Sequence, residues 1–341
     1  MSSRLALTAT RALARFLTLA FVLALASAAS GASSRAVPVV VATDIGDDID
    51  DTWALVLALK SPELDVKLVL TDYGDTARRV PIVARLLQVA GRTEIPIGIG
   101  VRQEGGPTGQ DEWVKGYDLA SYPGRVHEDG VQALVDLALA SKEPVTLVAL
   151  GPPPSLAEAL RREPRIAGKL RLAGMYGSLR TGYSGKPKPE PEWNVKASAT
   201  AARALLAAPW REATLTPLDT CGLVTLSGER YARLRASKDP LLVALFENYE
   251  LWCRTKPWCA KEPDRVATRS STLFDTVAVY LAVARDLVVT EALGVRVTDD
   301  GMTLLDPAAR PLLWATAWKD LDGYEEWLTR RLLAAPPGRA R

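Results

Sequence analysis

The chain has 341 residues, 48% of them hydrophobic and 24% charged, with a net charge of only +2. That balance is enough to build a full core and excludes a disordered chain, and the length fits one large α/β domain or two small ones. The basic residues are scattered, so the sequence carries no nucleic-acid footprint.

The first thirty or so residues differ from the rest. Arg4, Arg11 and Arg15 lead into an apolar run from Phe16 to Ala26, followed by the small residues Ala26-Ser27-Ala28. The run falls short of the roughly 20 residues a membrane span needs, and its flanks read as a cleavable export signal. We therefore expect a signal peptide over residues 1–30, no stable membrane anchor, and an exported domain over residues 36–335 in the periplasm or outside the cell. Export would permit a disulfide between Cys253 and Cys259, leaving Cys221 as a buried thiol. Cysteine spacing and the presence of a single histidine, His127, argue against a zinc site. His127 itself, just ahead of a predicted helix, reads as a polar loop residue.

From Val37 the chain alternates strand and helix. Val39 to Val41 is short, β-branched and preceded by Pro38, as in a buried parallel strand. Five aspartates follow within eight positions (Asp44, Asp47, Asp48, Asp50, Asp51), and Trp53, Leu55, Val56, Leu57 and Leu59 then pattern as a helix with acids in its first turn. Leu64–Leu70 is a second strand; the next helix carries Val80, Val83, Ala84 and Leu87 on one face and stops at Gly91; Ile95–Ile99 is a third strand. Gly98-Ile99-Gly100 lacks the third glycine and the helix that a dinucleotide turn requires. Residues 101–128 form a long polar excursion, expected near the site or as a lid.

Helix Gly130–Ser141 precedes strand Val145–Leu150 and the rigid turn Gly151-Pro152-Pro153-Pro154-Ser155, whose carbonyls are expected to be free. Strand Leu170–Tyr176 leads to a Gly/Pro/Lys-rich loop, then to Glu192-Trp193-Asn194 and one alanine-rich helix to about Ala208. After a strand at Ala213–Pro217 the chain becomes more helical, with helices over Pro240–Thr255, after Leu273-Phe274-Asp275, and over Leu321–Leu333. Short strands are expected at Val288–Thr290, Val295–Thr298 and Met302–Leu305. The fold class is α/β, a mostly parallel twisted sheet flanked by helices with a Rossmann-like core.

The acid-rich turn lies where such sheets bind ligands, at the carboxyl edge. Two carboxylates about 5 Å apart repel by about 3 kcal/mol at an effective dielectric of 20, so several in one turn call for a counter-ion. All-oxygen ligands suit Ca²⁺ or Mg²⁺, and Ca²⁺ tolerates irregular geometry better. The bland alternative is a solvated acidic loop.

Several separated motifs coincide with one family. The stretch from Ala42 to Asp51 resembles the D-x-D-P-G-x-D-D calcium turn of the inosine-uridine preferring nucleoside hydrolases, with the first aspartate replaced by Ala42, the proline replaced, and the last pair displaced by two residues. Arg85-Leu86-Leu87 with Ala90-Gly91-Arg92, the segment Thr146–Leu160, Glu192-Trp193-Asn194 and Leu273-Phe274-Asp275 are similar to further family motifs in the same order, so the resemblance runs from Val39 to about Leu333. It implies cleavage of the N-ribosidic bond of a small-molecule nucleoside or N-riboside, with Ca²⁺ held by Asp44, Asp51, Asp275 and the main-chain carbonyl of Leu150. It further implies Asp44 as general base, Asp50 and Asn194 on the ribose diol, Glu192 toward the 5′ end, and Trp193, Phe274 and Asp275 around the substrate. Asp48 is the alternate for Asp44 because of the two-residue insertion. A homo-oligomer, dimer or tetramer, is the expected assembly.

Phe274 stands where the family often has a histidine that protonates the leaving base. A better leaving group, an acid recruited from elsewhere such as Tyr183 or Tyr249, or a non-catalytic exported ribose or nucleoside binder would each accommodate it. Trp193, Tyr249 and Trp252 are candidates for stacking on a base or for the core. A reading from another class comes from Asp48-Ile49-Asp50-Asp51-Thr52, which fits the D-x-D-x-T of Mg²⁺-dependent aspartyl-phosphate phosphatases, although its nucleophile must sit at the end of the strand.

Overall fold

Val37–Thr43 forms strand β1, and its side chains alternate between two apolar layers: Val39 and Val41 pack on one face, Val40 and Ala42 on the other. A strand buried on both faces must be flanked by helices on both sides, and it is. The computed structural model describes residues 36–335; the expected signal peptide lies outside the described residues.

In chain order, β1 is followed by α1 (Asp50–Lys60), β2 (Leu64–Thr71), α2 (Thr76–Val89), β3 (Ile97–Ile99), β4 (Val126–His127), α3 (Gly130–Ala140), β5 (Val145–Ala149), α4 (Pro154–Arg162) and β6 (Leu170–Met175). Then come α5 (Trp193–Ala197), α6 (Ala199–Ala207), β7 (Glu212–Thr216), α7 (Leu218–Cys221), α8 (Gly228–Arg235), α9 (Pro240–Thr255), α10 (Pro257–Ala260), α11 (Arg265–Thr268) and α12 (Phe274–Val283). The chain closes with β8 (Val288–Val297), β9 (Thr303–Leu305), β10 (Pro311–Trp318) and α13 (Leu321–Leu333).

The strands make one ten-stranded sheet in the order β4-β3-β2-β1-β5-β6-β7-β10-β8-β9. Pairing is parallel from β4 through to β10 and antiparallel at β10–β8 and β8–β9. From β1 the chain winds outward through β2 to β4, then returns to place β5 on the other side of β1. That reversal opens a crevice beyond the carboxyl ends of β1 and β5, the place where open α/β sheets bind ligands.

The first helix, α1, is buried along its whole length, so the acids of its first turn sit inside the protein rather than on a solvated loop. At its other end Lys60 is fully buried, paired with Asp239 at 2.7 Å and hydrogen-bonded to the carbonyl of Ala334 at 2.7 Å. Helix α9 has the expected bounds, because Asp239 caps the amides of Leu241 and Leu242 and Pro240 takes the first turn. Its end is tied by a Cys253–Cys259 disulfide, and Cys221 is a buried free thiol. Among the described residues no helix is long and apolar enough to cross a membrane.

Some expected elements differ. The two short strands expected at Val288–Thr290 and Val295–Thr298 merge into a single strand, β8, ending at Val297, because Val288–Gly294 pairs, across one bulge between Ala315 and Ala317, with β10, a strand that local pattern did not reveal. The alanine-rich helix is broken at Ser198, whose non-helical backbone separates α5 from α6. His127 lies in the edge strand β4, not in a loop. The carbonyl of Gly151 is not free, since the Tyr176 hydroxyl donates to it at 2.9 Å.

Candidate active site

A cavity of about 330 Å³ occupies the crevice. Its floor comes from the β1–α1 turn (Asp44, Asp47, Asp48, Asp50, Asp51), from Leu150 just beyond β5 and from Met175 at the end of β6. Glu192, Trp193 and Asn194 at the start of α5, Phe274 and Asp275 at the start of α12, and Tyr183 and Lys256 complete the wall, with Pro107 and Gly109 from the excursion. That excursion is an anchored wall: Gln110 is fully buried and its amide donates to Thr52 at 2.9 Å and Asn248 at 2.7 Å. All ten residues assigned a site role from sequence therefore line one cavity.

Three carboxylates converge there. Asp50, Asp51 and Asp275 are buried, and their nearest oxygens all lie within 4.8 Å of one another. The main-chain amide of Asp275 donates to Asp50 at 3.2 Å, and the Thr43 hydroxyl donates to Asp51. Burial, followed by the charge of the neighbouring aspartates, holds all three carboxyls well above the usual range. Asp44 lines the same cavity with its carboxylate against Gly151, where an added Cβ would come within 2.2 Å of Oδ1. It falls outside the close triplet, and Asp50, expected on the ribose, falls inside it. Burial, opposed by Arg79, raises Asp44 to about 7.

Mutually repelling, all-oxygen and shielded from water, the triplet fits a hard divalent cation. Leu150 also lines the cavity, and its carbonyl accepts a hydrogen bond from the Asn194 side chain, which leaves a second lone pair on that oxygen. Asn194 uses the same amide group on the carbonyl of Met175 at 3.0 Å. Glu192 is a helix cap: its oxygens accept from the amides of Gly177 (3.0 Å), Asn194 (2.7 Å) and Val195 (3.2 Å). Burial outweighs these bonds and raises its carboxyl to about 7.

Sequence reasoning missed Arg79. Only 3% exposed, its guanidinium donates to the carbonyls of Asp44 (2.5 Å), Ile45 (3.0 Å) and Tyr73 (3.0 Å) and pairs with Asp47 at 2.9 Å. It thus fastens the acid-rich turn to α2 and β2. The available signal was spacing, because Thr76, Arg79 and Val83 share the buried face of α2.

The aromatic candidates separate. Phe274 and Tyr183 meet edge to face at 6.0 Å on the cavity wall, and the Tyr183 hydroxyl accepts from the amide of Trp193 at 2.8 Å. Trp193 lines the rim and is 51% exposed. Tyr249 and Trp252 are core residues: Tyr249 is fully buried, and Trp252 donates to the carbonyl of Asp47 at 2.9 Å.

Residues 39–324 match the family model of the inosine-uridine preferring nucleoside hydrolases. The chain belongs to that family. It is 34% identical over 161 residues to a pyrimidine-specific ribonucleoside hydrolase of Enterobacter sp. (strain 638), covering 43% of this chain and 50% of that protein. A pyrimidine-specific ribonucleoside hydrolase of Citrobacter koseri is 29% identical over 226 residues, 62% of this chain and 70% of that one. The chain thus spans half the length of the first of these relatives and 70% of the second. Among solved structures it is similar to a plant nucleoside hydrolase (TM-score 0.72, 23% identity, 87% of this chain and 99% of that one). A purine-preferring ribonucleoside hydrolase from Gardnerella vaginalis gives a TM-score of 0.69 at 20% identity, covering 86% of this chain and 98% of that one. At these identities the structural likeness speaks for the fold.

Nucleoside hydrolases are N-glycosidases of ribonucleosides, and the acid-lined cavity of this family member lies at the β1 and β5 edge. The phosphatase reading fails on geometry as well as on family, because β1 ends at Thr43 and Asp48 lies beyond a turn, accepting from the amide of Ile49 at 2.6 Å.

The buried acids give this nucleoside hydrolase a distinctive pH dependence. Glu192 and Asp72 each stand at about 7, above the range of an unfolded chain, so their contribution to stability is complete at low pH and is lost as pH rises through 7. The surface carboxyls lowered by arginines, Glu158 and Glu291, each about 2, act only below about pH 4.5 and leave that window untouched. Metal-free protein should therefore melt at a lower temperature at pH 8 than at pH 5.5. A thermal scan with chelator showing a flat or rising trend would contradict the assignment.

Proposed function

We propose that this nucleoside hydrolase acts after export and cleaves the N-glycosidic bond of ribonucleosides in a Ca²⁺-dependent reaction, releasing ribose and free base. The observation that carries the reading is the convergence of Asp50, Asp51 and Asp275 within 4.8 Å in a buried cavity at the edge of the sheet. Those carboxylates, with the carbonyl of Leu150, would hold the ion. When bound, Ca²⁺ supplies a fixed positive charge that orients the ribose hydroxyls and the attacking water.

The chain's own groups do the rest. Asp44, raised to about 7, is poised to take the proton of the water as its oxygen bonds to C1′. The surrounding carboxylates favour the oxocarbenium-like sugar. The side-chain carbonyl of Asn194 faces the sugar while its amide is fixed on Leu150 and Met175. Glu192 acts by holding Asn194 and Val195 in place through their backbone amides. The Cys253–Cys259 disulfide supports export, since such bonds persist in oxidising compartments.

The test is a reducing-sugar assay across purine and pyrimidine nucleosides. Ribose should appear with Ca²⁺, vanish with chelator and return when Ca²⁺ is restored. Nucleoside binding without any ribose release would overturn the reading in favour of a non-catalytic exported binder. Phe274→His should raise turnover of purine nucleosides, because an acid positioned on the base contributes about 10²- to 10⁴-fold where it is needed. A panel with no gain would show that position 274 is not beside the base.

A further inference from the structure

We propose that Lys256 is the catalytic residue that receives the departing base, an inference that rests on the nucleoside hydrolase reading. Seven acids line the cavity, and Lys256 is its one cationic side chain among the described residues. It is the first residue beyond α9, half-buried, with its amide donating to the carbonyl of Cys253 at 3.1 Å. Pro257 follows at once as the first residue of α10, and the Cys253–Cys259 disulfide closes the loop around it. The backbone that carries this lysine is therefore fixed from both sides. Its ammonium lies 5.4 Å from the centroid of the Trp252 ring; it forms no salt bridge with a described carboxylate and acts at longer range on Asp48, whose carboxyl burial raises and this charge lowers.

The reaction separates charge: the sugar becomes positive as the base takes the electron pair of the C1′–N bond. The acids suit the first charge and not the second. Donors for the second are few. Phe274 has none, the Asn194 amide is engaged with two carbonyls, and the Tyr183 hydroxyl, which accepts from Trp193 and keeps its own hydrogen, is a neutral donor whose phenol is raised by burial, so it adds no positive charge. Lys256 is the one donor of the wall that carries a positive charge, on a long stem that reaches over an aromatic face.

In the proposed step the water oxygen bonds to C1′ and its proton passes to Asp44. The C1′–N bond breaks with its pair moving to the base. The base departs as an anion hydrogen-bonded by Nζ–H through a ring carbonyl oxygen, and takes a proton from solvent on release. The ammonium keeps its own proton throughout, so electrostatic stabilisation replaces the missing histidine.

The experiment compares wild type, Lys256→Met and Lys256→Arg on uridine, inosine and p-nitrophenyl β-D-ribofuranoside, whose phenolate leaves without help. Lys256→Met should lower kcat on the nucleosides about 10²-fold, with a much smaller loss on the nitrophenyl riboside, and Lys256→Arg should recover part of the difference. A double Cys253→Ser, Cys259→Ser variant should move the same ratio in the same direction by less. Equal losses on all three substrates, or no loss on the nucleosides, would overturn the role of Lys256 while leaving the nucleoside hydrolase reading intact. A wild-type enzyme inert even on the nitrophenyl riboside would overturn that reading, and this proposal with it.

Discussion

Replacing Asp51 by Asn should lower ribose release by about 10³-fold or more and at the same time raise the melting temperature of the metal-free protein. Asp51 is 2% exposed and sits among Asp44, Asp50 and Asp275, so in the absence of a metal ion its charge is offset only in part, by Arg79 and the Thr43 hydroxyl. Asn keeps the shape and can still accept the Thr43 hydroxyl, while its amide offers hydrogens to the neighbouring carboxylates. Relief of one buried, only partly offset charge is worth about 1–3 kcal/mol, and more of it should appear at pH 8 than at pH 5.5. The same change removes a ligand, so added Ca²⁺ should no longer raise the melting temperature. Thermal scans with and without Ca²⁺, alongside the ribose assay, check both halves. Full activity in the variant, or an undiminished Ca²⁺ shift, would remove Asp51 from the metal site.

Arg79→Met should be among the most destabilising substitutions in the domain, by about 3–5 kcal/mol in urea unfolding. The side chain is buried, and its loss would strand three main-chain carbonyls and take away the partner of the partly exposed Asp47 carboxylate. The turn it fastens carries Asp44 to Asp51, so Ca²⁺ affinity should fall with stability. Arg79→Lys should rescue little, because one ammonium cannot span the positions a planar guanidinium reaches. A variant with wild-type stability and Ca²⁺ affinity would show the turn to be self-supporting.

Much of this could be read from local pattern, and the reasons for the rest are physical. Strand β1 and helix α9 were legible because a doubly buried β-branched run and an Asp-Pro helix start are local signals. Strand β10 opens with Pro311 and includes Trp314 and Trp318; what makes it a strand is its pairing with β7 and β8, which local periodicity does not report. Acids at the edge of the sheet were evident, but 225 residues separate Asp50 from Asp275, and only resemblance brought them together. Resemblance also split them between ligand and ribose roles, and the two-residue insertion is where that transfer strains: Asp50, not Asp44, joins the close triplet. Glu192 reads as a cap from its position before α5, a role its three backbone partners display. Beyond the spacing of Arg79 on α2, Arg79 and Lys256 carry no local mark that sets them apart from other charged residues; burial and shared walls are properties of the fold.

The most direct measurement is a crystal structure grown with Ca²⁺, using the ion's anomalous signal. One peak within about 2.3–2.6 Å of oxygens from Asp50, Asp51 and Asp275 is the predicted result. A peak elsewhere, or an empty cavity at saturating Ca²⁺, would contradict it.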